Sequence, residues 1–293
     1  MRALINLINR KIASLLGTSK INSIDQRVKR IEEVVLFGQI ENFLNENLLN
    51  NPKYVGTKRI THYHQSVFSQ NGEDGIIEEI FKRIGTTNNY FVEFGAHGIK
   101  NNTTYLLQKD WKGLWIVGSE MGRKAIASIF KTQLAKGNLS TLEAWITRDN
   151  IQTLLQQANV PIQFDFLSID IDGNDYWVWD KIVDFQPRVV CIEYNATYPP
   201  NHPWVMSYKA DHIWNGTSYF GASLLALQKL SKSKGYALEG CDFAGCNAFF
   251  VKESENLTLF ESPFTAEHHY EPARYFIRKP SGHPHGFGEF HLV

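Results

Sequence analysis

The sequence predicts a doubly wound α/β fold: a mostly parallel sheet between two layers of helices, an antiparallel hairpin near its C-terminal end, and a helical arm in front. Three observations carry this. Five short apolar runs alternate with stretches of helical periodicity, the pattern of βαβ units joined by right-handed crossovers. In the fourth run Phe164, Phe166, Leu167, Ile169 and Ile171 leave almost no polar face, as expected of a strand covered on both sides. Several runs end in acid or glycine, and in open α/β sheets ligands bind beyond the carboxyl ends of the strands.

The 293 residues suffice for one large domain with additions. The boundaries read as a helical arm over 1–55, a ligand-binding domain over 56–255 and an irregular tail over 256–293. Thirty basic residues balance thirty acidic ones, so no global field favours nucleic acid or an anionic membrane. Cys191, Cys241 and Cys246 lack zinc spacing and fit a reducing cytoplasm. The N-terminal ALINLINRKIASLLG is interrupted by Asn6, Asn9, Arg10 and Lys11, so stable membrane insertion is not expected.

In the arm, Ile5, Ile8, Ile12, Leu15 and Leu16, then Ile24, Val28, Ile31, Val35 and Leu36, recur near helical spacing. Such a face suits self-association of the chain, another partner, or a membrane surface. Asn50, Asn51 and Pro52 close the arm. A helix over Glu73–Ile84 follows, with Ile76, Ile77, Ile80 and Phe81 on one face and Gly85 as its cap.

The strands are expected at Tyr90–Phe94, Leu114–Gly118, Leu142–Ile146, Phe164–Ile171 and Arg188–Tyr194. The helices between them are expected at Thr103–Lys109, Lys124–Lys136, from a cap at Asp149 through Gln157, and at Tyr176–Ile182. A long aromatic loop leads to a helix at Ala222–Lys234 and a hairpin of Tyr236–Cys241 with Asn247–Val251, appended antiparallel to one sheet edge.

The strand ends carry the chemistry. Asp170 and Asp172, two apart on a strand, should project together before the Gly173-Asn174 turn. Glu93 precedes Gly95 and Gly98 on the first strand, Glu120 follows the second, and Glu193 and Asn195 close the fifth. Glycines admit a ligand to the backbone, and an acid after the second strand can accept from ribose hydroxyls. An acid as near the first turn as Glu93 would repel a pyrophosphate but attract the sulfonium and amino groups of S-adenosylmethionine. Asp170 and Asp172 are functional candidates, because two acids ending a buried strand are costly without a partner.

SQNGEDGIIEEIF, FVEFGAHG, GLWIVGSE, DFLSIDIDGNDYWVW and RVVCIEYN, in that order over about residues 65–252, resemble the S-adenosylmethionine-dependent methyltransferases, and closely an FkbM-related bacterial group. The resemblance implies a Rossmann-like methyltransferase sheet and an O-methyltransferase acting on a hydroxyl of a sugar, nucleotide sugar or polysaccharide precursor. By motif it places Glu93 and Gly95 in the glycine-rich turn and Glu120 on the ribose, with Gln70 contacting the cofactor carboxylate. His97 stands where the family has its second glycine, and Gly98 is displaced by one. The Asp170-x-Asp172 pair resembles the signature of divalent-cation-dependent members, so Asp170, Glu193 and Asn195 become ligands for Mg2+. A bound cation would acidify an acceptor hydroxyl that is otherwise a poor nucleophile.

His97 and His212, beside Asp211 in the long loop, are the candidate bases. The plainer alternatives are a helix-terminal acid for Glu120, a loop salt bridge for Glu193 and a loop residue for His97. Ser69, Gln70 and Glu73 read as a turn and cap. Trp177 and Trp179 read as packing, and His268, His269, His283 and His285 as solvated tail residues. Tyr198, Trp204, Tyr208 and Trp214 could stack on sugar faces. A catalytically silent scaffold of the same fold is the alternative reading, favoured by His97 in the glycine turn.

Overall fold

The computed structural model describes Lys11, residues 18–56 and residues 58–277. The expectations on Ile5, Ile8, Ile12, Leu15 and Leu16, and on His283 and His285, lie outside the described residues. Seven strands form one sheet in the order β3-β2-β1-β4-β5-β7-β6, with β1 Tyr90–Phe94, β2 Lys112–Val117, β3 Leu139–Glu143, β4 Gln163–Ile169, β5 Gln186–Glu193, β6 Tyr236–Cys241 and β7 Asn247–Lys252. The first five run parallel, and β7 pairs antiparallel with both β5 and β6. The hairpin therefore enters with its second strand innermost, and β6 again points the way of the first five.

One sheet face packs on the helices Ile151–Gln157, Asp175–Lys181 and Leu224–Ser233, through Leu155, Trp179 and Leu227 against Leu167, Val190 and Phe250. The other packs on Glu73–Ile84, Thr104–Gln108 and Glu120–Ile129, through Ile77, Leu107 and Ile126 against Phe91, Phe166 and Val189. Adjacent residues of one strand thus serve opposite layers, which is why β4 reads as a continuous apolar run. At its lower end the buried Asp165 accepts from the backbone of Thr87, Asn88 and Asn89 and from Arg188 Nη1 at 2.9 Å, tying β4 to β1 and β5.

The structure corrects several boundaries. β3 begins three residues earlier than expected, which releases Trp145 and Ile146 from the sheet. The helix expected over Lys124–Lys136 is two helices, Glu120–Ile129 and Lys131–Lys136, joined at Phe130. Asp149 is not a cap: the helix starts after Asn150, whose Oδ1 accepts from the Thr147 amide. The stretch 261–277 is not irregular throughout. It carries a short helix, Ala266–His269, and a 3-10 turn, Tyr275–Ile277, and His269 is buried rather than solvated.

The arm contains a helix over Thr18–Phe43, here called α1, followed by a π-helical turn over Leu44–Leu49. Ile40, Leu44 and Leu48 bury themselves against Tyr54, Phe243, Cys246 and Ile277. No helix among the described residues is long and apolar enough to cross a membrane.

Candidate active site

β1 lies between β2 and β4, so the chain winds away from it on both sides and leaves a crevice beyond their carboxyl ends. Gly95 floors that crevice at φ +78, and a Cβ there would stand 1.8 Å from the Asp170 carbonyl oxygen. Two cavities of about 350 Å³ each open over this contact and share Gly95, His97 and Asp170. The first has an apolar wall of Val117, Trp145, Ile146, Ile171 and Trp214 facing a polar one of Ser119, Asp170, Asp172, Asn174 and His212. The second is lined by Gln70, Asn71, Glu73, Glu93, Asn101 and Asn102 together with the apolar Phe94 and Ile99.

Glu93 is buried and accepts from the amides of Asn102 at 2.9 Å and Thr103 at 3.1 Å and from the Thr103 hydroxyl. Burial pushes its carboxyl up to about 7. Its first role in this geometry is to shape the Gly98–Asn102 wall, where Asn101 accepts from the His97 amide and donates to the Gly98 carbonyl. Glu73, also buried, accepts from Asn71 and Asn247 and holds the base of the second cavity. Its neighbour Asp74 accepts the amides of Val67, Phe68 and Ser69, while the Ser69 hydroxyl accepts the Asp74 amide. The expected turn and cap are thus built around Asp74.

Asp170, Asp172 and Glu193 each place a carboxylate oxygen within 4.8 Å of the others. Strand alternation is not the cause, because β4 ends at Ile169. The chain turns instead. Asp172 adopts φ +56, and the buried Asp175 accepts the amides of Ile171 at 2.9 Å and Gly173 at 2.8 Å, pinning the turn. Burial, then the charges of Asp175, Asp172, Glu93 and Glu73, hold the Asp170 carboxyl well above the usual range. Burial lifts Asp175 to about 6. Three hard oxygens under mutual repulsion suit Mg2+ or Ca2+ with waters completing the shell. Asn195 is hydrogen-bonded within the following loop: its Nδ2 donates to the Ser218 and Phe220 carbonyls and its Oδ1 accepts from the Thr197 amide. Asp172 supplies the third carboxylate of the cluster.

The loop between β5 and the helix Leu224–Ser233 is laid over this turn by three side chains. Trp145 Nε1 donates to the Ala210 carbonyl at 2.7 Å, Asn174 Nδ2 to Lys209 at 2.8 Å, and Trp177 Nε1 to Met206 at 2.8 Å. His212 is thereby brought against Gly173, where a Cβ would meet its Cδ2 at 2.4 Å. It lines the first cavity with Asp170 and Asp172, and its shielded Nε2 makes no hydrogen bond.

Gln70, Gly98 and His97 line the cavities as well, whereas Glu120 is exposed, bridges to Lys124 at 2.8 Å, and leaves the slot to its neighbour Ser119. Of the four loop aromatics only Trp214 reaches the first cavity. Tyr198 stacks on Trp204 at 4.4 Å, and Tyr208 lies under the Arg148 guanidinium. Trp145 and Asp175 are the participants sequence reasoning missed. Asp175 opens a helix directly after a Gly-Asn turn, a signal for a residue that binds turn amides.

No family model matches this chain, and no curated protein matches it. Among solved structures, the methyltransferase domain of bacterial CtHen1 is 13% identical with a TM-score of 0.40, over 61% of this chain and 96% of that one. The N-terminal domain of EvdMO1 with SAH bound is 12% identical with a TM-score of 0.41, over 61% and 80%. The pyocyanin biosynthetic protein PhzM is 14% identical with a TM-score of 0.38, and the match spans 60% of this chain but about half of that one, 54%. At these values the chemistry of this chain rests on its own residues.

Proposed function

We propose that the protein transfers a methyl group from S-adenosylmethionine to a hydroxyl of a sugar, nucleotide sugar or polysaccharide precursor. The observation that carries the reading is the pair of cavities meeting at Gly95 and Asp170: one has an apolar wall of Trp145, Ile146 and Val117 for a flat heteroaromatic ring, and the other has amide and carboxylate side chains for an amino-acid end. A ligand with those two ends and a cationic centre fits a junction that Asp170 lines. Trp145 and Ile146 would flank the adenine, and Ser119 the ribose. Gln70, Asn101 and Asn102 would take the amino-acid end.

The acceptor oxygen attacks the methyl carbon in line, the carbon–sulfur bond breaks, and its electron pair stays on sulfur. The hydroxyl proton must leave, and His212 Nε2, without a hydrogen-bond partner and beside Asp172, is the group placed to take it. Asp170, Asp172 and Glu193 would hold a divalent cation, whose chemistry when bound is to lower the pKa of an acceptor oxygen. The exposed Trp214, which lines the first cavity, offers an apolar face to a carbohydrate at the mouth. The test is product analysis: incubation with S-adenosylmethionine, Mg2+ and a panel of sugars and nucleotide sugars should yield S-adenosylhomocysteine and a product heavier by one methylene. A panel that gives neither, while a known O-methyltransferase scores on its own substrate, would sink the reading.

A further inference from the structure

In α1, residues 22–39 are all exposed, whereas Ile40, Leu44 and Leu48 beyond them are buried in the body of the protein. The helix is therefore anchored at one end, and about five turns stand clear of any neighbour among the described residues. That free part carries one apolar line, with Ile24 57% exposed, Val28 44%, Ile31 61% and Val35 52%, while Leu36 and Phe37 lie on another face, the one that continues into the buried Ile40 and Leu44. The spacing of four, three and four is a heptad seam, with Val28 and Val35 at a and Ile24 and Ile31 at d. An isolated helix of this composition is marginal in water and leaves an apolar stripe that needs a cover.

We infer that the cover is the same helix of further copies of this chain, packed in parallel as a three-stranded coiled coil. Three features of the helix point there. The e positions hold Asp25 and Glu32, and Arg27 stands at g. In a parallel pair Arg27 faces Glu32 of the next copy, whereas an antiparallel pair sets acid against acid along the e edge. Asp25 forms an exposed 2.8 Å ion pair with Lys29 of its own helix and remains at the seam edge. β-branched residues at both a and d favour more than two strands, and Val34, 65% exposed at g, widens the stripe as a third helix requires. A membrane surface is a poorer match. Around the seam Asp25, Glu32 and Glu33 balance Arg27, Lys29 and Arg30, so the helix lacks the net positive charge an anionic bilayer attracts.

The test is the mass of the full-length protein by sedimentation equilibrium, with vesicle flotation beside it. Wild type should sediment at three times the mass of one chain, and Ile24→Glu with Ile31→Glu should sediment as a monomer that keeps a cooperative thermal melt while losing part of its helical circular dichroism signal. Arg27→Glu should weaken assembly at least tenfold, and adding Glu32→Arg should restore it. Ile24→Cys should cross-link copies under mild oxidation, because like positions meet only in parallel register and the native cysteines are buried. A wild-type monomer or dimer, cross-linking absent in Ile24→Cys, or a monomer that floats with phosphatidylglycerol vesicles would overturn the proposal.

Discussion

Gly95 and Asp170 touch: the last turn of β1 is pressed so close to the first carbonyl beyond β4 that a Cβ at position 95 would lie 1.8 Å from that oxygen. The φ of +78 adds a second cost for any other residue. Gly95→Ala is expected to lower stability by about 2–4 kcal/mol and to push the two cavities apart. Thermal melts with and without S-adenosylmethionine check this. Ligand-induced stabilisation should vanish in the variant, and an undiminished ligand shift would place the binding site elsewhere.

The acid cluster makes a pH-dependent claim. Burial and mutual repulsion raise Asp170, and burial raises Asp172 and Asp175, so protons compete with a cation there. Groups with raised folded-state pKa values stabilise the fold at low pH and lose that contribution as pH rises through those values. The metal-free protein should therefore lose stability between about pH 4 and about pH 6 on account of Asp175 and level off above that for this group, and Mg2+ should restore it increasingly at higher pH. Melting in EDTA and in Mg2+ from pH 5 to pH 8 reads both effects. Asp170→Asn with Glu193→Gln should abolish the Mg2+ shift, and a shift that survives in this variant contradicts the cluster.

His212 should separate binding from chemistry. His212→Asn removes the unpartnered Nε2 beside Asp172, and kcat should fall about 10²–10⁴-fold with little change in affinity for S-adenosylmethionine. Steady-state kinetics with calorimetry distinguish this from damage to the loop, which would weaken binding too. His97→Asn, by contrast, should leave kcat within a few-fold. A full loss of turnover there would move the proton to the glycine turn.

Away from the site, Glu239 is buried in the β6 bulge, and neither carboxylate oxygen has a hydrogen bond. Burial lifts its pKa from 4.5 to about 9, with Arg83 opposing the shift. Its contribution to stability is thus present below pH 4.5 and drains away toward pH 9. Glu239→Gln does not titrate, so it should gain about 2–4 kcal/mol over wild type near pH 8 and little at pH 4. Chemical denaturation at the two pH values measures the difference, and equal gains would rule out ionisation as the cause.

Much of the architecture was legible in the residues themselves. Apolar runs separated by helical periods located the strands, with β3 set three residues late, and acids before glycine turns marked the crevice. What failed was local. Asp170 and Asp172 were expected together by strand alternation, yet they meet because Asp175 folds the turn back, a contact four residues long that a period-two argument cannot contain. Trp145 sits in an apolar run that reads as strand, and only the three-residue shift of β3 makes it a cavity wall. Asn195 looked free at a strand end because its partners, Ser218 and Phe220, lie more than twenty residues away across the loop. His269 read as solvated for the same reason, since its burial comes from contacts distant in sequence.

The central claim is that the paired cavities at Gly95 and Asp170 accept S-adenosylmethionine, and isothermal calorimetry on the full-length protein tests it most directly. One S-adenosylmethionine and one S-adenosylhomocysteine should each bind per chain in competition with one another, and Gly95→Ala should remove both. Absence of heat for either ligand at millimolar concentration, with the protein folded and NADH tested alongside, would contradict the account.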